Sequence, residues 1–135
     1  MYKRLIFIAT LLLSCCAVNI AMAGKIKGVV VQANGSRAAF EHALKLAINM
    51  KSVLTDTKFE IVVFGPTVKL LTPLNNEEPL VQQVQGAGIK LLACGRSLKT
   101  DHVKKSDLDP GIPVVPFGAV HILERQADGW VYFKP

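Results

Sequence analysis

Ile89-Lys90-Leu91-Leu92-Ala93-Cys94-Gly95-Arg96-Ser97-Leu98-Lys99 is the stretch that decides the fold. An apolar run of strand length ends abruptly at Gly95, and Arg96 to Lys99 begin a helical segment with no room for a long connection. A strand feeding directly into a helix is half of a strand-helix-strand crossover, so the neighbouring strands should run parallel to this one. The same reading places Cys94 at the carboxyl end of its strand.

Working outward, the alternation repeats. Ile26 to Gln32 is a β-branched run closed by the turn Asn34-Gly35-Ser36. From Ser36 the period changes: Phe40, Ala43, Leu44, Ala47, Met50 and Leu54 recur at three and four, with Arg37, Glu41, Lys45 and Lys51 on other faces, as in an amphipathic helix. Phe59 to Phe64 is a second strand, stopped by Gly65-Pro66, where proline cannot donate to a ladder. Thr67 to Leu71 reads as a short helical turn. Glu77-Glu78-Pro79 opens a second helix in the order a helix start favours, and Gly86 and Gly88 end it. Beyond the central stretch, Val114 to Pro116 predicts a short strand, Ala119 to Gln126 a helix, and Trp130 to Phe133 a terminal strand. The expectation is an α/β domain with a mostly parallel five-stranded sheet and helices on both faces. In such sheets chemistry gathers outside the carboxyl ends of the strands. Three loops should meet there: Ala33 to Ser36, Gly65 to Thr67 and Cys94 to Ser97.

The chain has 135 residues. Its start, Lys3-Arg4 followed by an apolar run from Leu5 to Leu13 and then small residues, has the order of a secretory signal and is too short for a membrane-spanning helix. Two processing sites compete. Ala21-Met22-Ala23 before Gly24 is an A-x-A cleavage site, and Leu12-Leu13-Ser14-Cys15 has the form of a lipobox that would place a lipid anchor at Cys15. Cleavage after Ala23 is the preferred reading. It makes residues 1–23 a signal peptide and 24–135 a single domain, long enough for one core but not two. The expected location is periplasmic or secreted, with an envelope lipoprotein as the alternative. Formal net charge is +6, from 16 Lys and Arg against 10 Asp and Glu. The cations are dispersed, without the Arg-rich or aromatic-interleaved stripe of a nucleic-acid surface, so nucleic acid is not an expected partner.

Of three cysteines, Cys15 and Cys16 lie in the signal region, leaving Cys94 alone in the mature chain. An odd thiol in an exported chain is a reactive group, an intermolecular bridge or a packed small hydrophobe. A strand-to-helix junction brings unpaired backbone N–H groups and a helix dipole to the sulfur, and Arg96 and Lys99 are near in sequence. All of these favour thiolate. The opposing reading is an inert cysteine continuing the apolar face of Leu92. His42, His102 and His121 make no metal-ligand spacing, and no metal or organic cofactor is expected. Gln85-Gly86-Ala87-Gly88 precedes a strand and so is not a strand-to-helix phosphate loop.

Leu92 to Lys99, Asp107-Leu108-Asp109-Pro110-Gly111, the ending Gly129 to Pro135 and Phe64 to Thr72 together resemble the DsrE/DsrF-like family, over essentially the whole mature chain from Ile26 to Pro135. The resemblance implies a flavodoxin-like fold, self-association into homo-oligomers and, in sulfur-relay members, a cysteine that carries sulfur as a persulfide. Cys94 is the matching position. On this reading the chain is a persulfide carrier more than a turnover enzyme, partnered by a sulfur donor or acceptor protein, with Cys94 as the catalytic thiol and Gly95, Arg96, Gly65 and Pro66 forming the binding loops. The alternative is a non-catalytic oligomeric module that binds a small ligand or a protein at the same loops, with Cys94 merely packed.

Overall fold

A computed structural model describes residues 25–75 and 77–135. The expected signal segment, the cleavage site after Ala23 and the acylation site Cys15 lie outside the described residues. No described helix is long and apolar enough to cross a membrane. Five strands, β1 (Gly28–Ala33), β2 (Lys58–Val63), β3 (Lys90–Cys94), β4 (Val114–Val115) and β5 (Val131–Phe133), form one sheet in the order β4-β3-β2-β1-β5. Every pairing is parallel. The expected mostly parallel sheet is therefore wholly parallel. The helices are α1 (Arg37–Val53), α2 (Glu78–Gly86), α3 (Gly95–Thr100) and α4 (Gly118–Ala127), with 3-10 turns at Gly65–Leu71, Pro73–Asn75 and Lys105–Asp107. Ser36 caps α1, its hydroxyl accepting from the Ala39 N–H at 3.2 Å, so the polar turn after β1 is also the helix start.

The two faces of the sheet are covered unequally. Side chains alternate along a strand. Val29, Val31 and Ala33, Phe59, Ile61 and Val63, and Leu91 and Ala93 all enter one core with Phe40, Leu44 and Ala47 of α1, Val81 and Val84 of α2, and Leu98 of α3. The intervening residues Val30, Val62 and Leu92 form a second, smaller core in which the buried helical residue is Ile122 of α4. Helices do lie on both faces, but α4 covers the second face alone among the described helices. That asymmetry matters because Cys94, in phase with Leu92, is on the second face.

Candidate functional site

The three loops expected to meet at the carboxyl ends of the strands are joined by hydrogen bonds. Gly35 N–H donates to Thr67 Oγ1 at 2.8 Å, and the Thr67 hydroxyl donates back to the Gly35 carbonyl at 2.9 Å. Gly65 N–H donates to Ser97 Oγ at 2.8 Å, which ties the loop after β2 to α3. Ser97 is thus held by one loop at the start of the helix that follows Cys94. Pro66 is exposed at the start of its 3-10 turn, and Gly65 serves as a support for Ser97.

Cys94 is a free thiol and only 1% exposed. The thiol is therefore closed to solvent in this conformation, because β3 delivers the side chain beneath α4. Sγ accepts a hydrogen bond from Gly118 N–H at 3.2 Å. Gly118 is the first residue of α4, and Phe117 before it supplies no side-chain cap. The sulfur therefore satisfies one of the N–H groups that a helix start leaves without a partner. Burial pushes the thiol pKa up, but hydrogen bonds from the Ser97 side chain, the Gly118 N–H and the Ser97 and Arg96 backbone outweigh it and hold the pKa below the ordinary cysteine value. The sequence pointed to Gly95, Arg96 and the cations of the following helix. The Arg96 backbone does contribute, and a further donor comes from α4, 24 residues along the chain. Gly95 packs under Val114 and the Val115 and Pro116 carbonyls. The Arg96 guanidinium lies over the Phe117 ring at 5.0 Å, and Arg96 N–H donates to the Pro116 carbonyl at 3.2 Å. These contacts join the two segments that flank Cys94. Arg96 and Lys99 line a shallow pocket with Gly95 and Pro116. His102 is not among the groups bonded to the sulfur. It lines a separate surface pocket with Lys69, Pro73 and Val103.

A second polar cluster lies further down the same face. Glu60 of β2 is 3% exposed and accepts from Arg125 Nε at 2.7 Å and Arg125 Nη2 at 3.0 Å, with His121 Nε2 at 2.7 Å. Burial works against its charge, and Arg125 and His121 more than compensate, holding the carboxyl below its usual range. The Arg125 guanidinium also lies 5.0 Å from the centre of Trp130, whose ring occupies the space above Gly28; a Cβ there would sit 2.3 Å from Trp130 Cδ2. The sequence gives Glu60 and Arg125 no role, and His121 enters it only as one of three histidines without metal-ligand spacing. The available signal was His121 and Arg125 one turn apart on α4, which puts both on one helix side.

A parallel five-stranded α/β sheet with a hydrogen-bonded cysteine at the carboxyl edge of its third strand defines a flavodoxin-like thiol protein. The chain belongs to the DsrE/DsrF-like family, whose model matches residues 25–135, a sulfur-relay-related family. The fold is similar to that of the protein of unknown function MTH1491 from Methanobacterium thermoautotrophicum, at 24% identity and TM-score 0.75 over 82% of this chain and 99% of that one. It also resembles the YchN protein from E. coli, at 13% identity and TM-score 0.69 over 82% and 100%, and the conserved protein of unknown function BT1422 from Bacteroides thetaiotaomicron, at 18%, 0.66, 85% and 99%. No curated protein matches.

Proposed function

We propose that the mature chain, residues 24–135, is an exported carrier of sulfane sulfur that works through a persulfide on Cys94, in the periplasm or outside the cell and as a homo-oligomer. The observation that carries this reading is the hydrogen bond from Gly118 N–H to Cys94 Sγ, which with the Ser97 contacts favours thiolate. The thiolate attacks the outer sulfur of a donor persulfide. The donor's S–S bond breaks as the Cys94–S bond forms, and the donor leaves as a thiolate, so no metal, external oxidant or organic cofactor is required. An acceptor thiol takes the sulfur by the reverse exchange. Gly95 and Arg96, with Gly65 and Pro66 across the sheet edge, are the loops a donor or acceptor would meet. Burial of the resting thiol limits overoxidation in an oxidising compartment, and it requires the packing around Cys94 to open for transfer.

The test is the intact mass of wild-type and Cys94→Ala protein after incubation with a sulfane-sulfur donor. The expected result is a reductant-sensitive gain of about 32 Da, one sulfur atom, on wild type only. The 1% exposure of Cys94 favours one other reading, a binding module with a packed cysteine. No mass gain, with a thiol that stays unreactive until the fold is denatured, would establish that reading instead. The mass of the protein recovered from the cell envelope also tests processing: a chain starting at Gly24 supports export with cleavage, and one starting at an acylated Cys15 identifies an envelope lipoprotein.

A further inference from the structure

The Cys94 contact depends on where α4 sits, and α4 has little apolar surface to fix it. Among its residues only Gly118 and Ile122 are buried, whereas Val120 and Leu123 are 42% and 64% exposed. At its first residue the helix approaches the sheet very closely. A Cβ on Gly118 would stand 3.0 Å from Val62 Cγ1 and 3.2 Å from Cys94 Cβ. Further along the helix it is held by Glu60, which grips His121 and Arg125 together. Glu60 and Val62 are alternate residues of β2, and Val62 is paired in register with Leu92, two residues before Cys94 on the same face. The clamp and the thiol contact are therefore the two ends of one rigid lever laid across two neighbouring strands.

We propose that Glu60 is a positioning residue for Cys94: by holding His121 and Arg125 it sets the first turn of α4 at the distance where the Gly118 N–H meets the sulfur. This rests on Cys94 being the working group, but not on the identity of the donor. The sign of the effect separates positioning from simple electrostatics. Removing a carboxylate, and leaving Arg125 paired only with Asp128, would favour thiolate through space and lower the thiol pKa. Loss of the Gly118 contact would raise it.

The experiment is a thiolate absorbance titration of reduced wild-type and Glu60→Gln protein, each read against the same background carrying Cys94→Ala, with thermal unfolding alongside. The expected result is a thiol pKa higher in Glu60→Gln by about one pH unit, a tenfold smaller thiolate-to-thiol ratio at any given pH. Val84→Ala, in the core of the opposite face, should lower the melting temperature without moving the thiol. An unchanged or lowered thiol pKa in a folded Glu60→Gln protein overturns the proposal. If that variant does not fold, Glu60→Asp, which keeps the negative charge but draws it back from His121 and Arg125 by one methylene, is read by the same criterion. Because the titration contains no sulfur donor, a raised pKa in Glu60→Gln stands even if wild type fails to take up sulfur. In that case the carrier reading falls and the clamp remains.

Discussion

On the proposed carrier reading, two opposed demands meet at Cys94. A persulfide carrier needs thiolate, which burial disfavours, and it needs protection, which burial supplies. Hydrogen bonds to the sulfur reconcile them, since they stabilise the charged form without admitting water. The folded pKa is below the unfolded one, so between those two values the unfolded chain binds more protons and stability rises with pH. The contribution is present above the unfolded pKa and disappears as pH falls through the folded one. Chemical unfolding of wild type and Cys94→Ala across that window should show a difference that grows with pH, by about 1.4 kcal/mol for each tenfold ratio between the folded and unfolded ionisation constants. A pH-independent difference would mean that the sulfur is an ordinary packed group. Gly118→Ala tests the other side of the contact. Alanine gains about 1 kcal/mol of helix propensity over glycine. Its methyl must nevertheless displace Val62 or Cys94, and overpacking costs about 1–3 kcal/mol. The expected outcome is a less stable protein with a raised thiol pKa; a more stable one with the thiol unmoved would show that the close approach has no bearing on the sulfur.

At the scale of the element, the interactions that matter run between segments far apart in sequence, and there the sequence was least informative. Strands and helices were legible because periodicity is local. The predicted strand at Phe59 to Phe64 and helix at Ala119 to Gln126 differ from β2 and α4 by single residues at their ends. The strand-end position of Cys94 and the meeting of its three loops followed from the same pattern. The Gly118 donor and the Glu60 clamp did not, because their partners are 24, 61 and 65 residues apart and only the packing of α4 brings them together. Asp109 is a further case. In the sequence it belongs to a turn, Asp109-Pro110-Gly111, yet it is 3% exposed and neither carboxylate oxygen has a hydrogen-bond partner among the described residues. Burial, with Glu78 nearby, raises its pKa. A raised folded pKa means that stability falls as pH climbs from the unfolded value through the folded one. Asp109→Asn should therefore be more stable than wild type at neutral pH, by on the order of 1 kcal/mol, with the gain shrinking as pH falls from the raised folded pKa to the unfolded carboxyl value of about 3.9. Paired unfolding curves at neutral and acid pH check this, and an Asn variant less stable at neutral pH would show that the carboxylate is held by a partner.

At the scale of the whole molecule, the unequal covering of the sheet bears on assembly. The face under α1, α2 and α3 carries the larger core, whereas the side carrying α4 exposes Phe117, Val120, Leu123 and Tyr132, each between 37% and 64% exposed. Soluble monomers rarely keep large contiguous apolar patches in water. The two sheet edges differ as well. Short β4 is flanked by Pro113 and Pro116, which cannot donate to a further strand, whereas β5 pairs only with β1 and has no proline within it. On the proposed homo-oligomer reading the occupant is a second copy of the chain, with α4 meeting its symmetry mate through Val120 and Leu123 in a self-complementary contact. The expected observation is sedimentation above monomer mass for wild type and at monomer mass for Val120→Lys with Leu123→Lys. Both side chains are exposed and neither contributes to the Glu60 clamp or the Gly118 contact, so the thiol titration of that variant should be unchanged. A wild-type protein that is monomeric at every concentration would assign the exposed surface to a different partner. A monomeric variant with a shifted thiol would mean that the copies lean on α4 hard enough to set the Gly118 contact, so that assembly as well as Glu60 would help determine the state of Cys94.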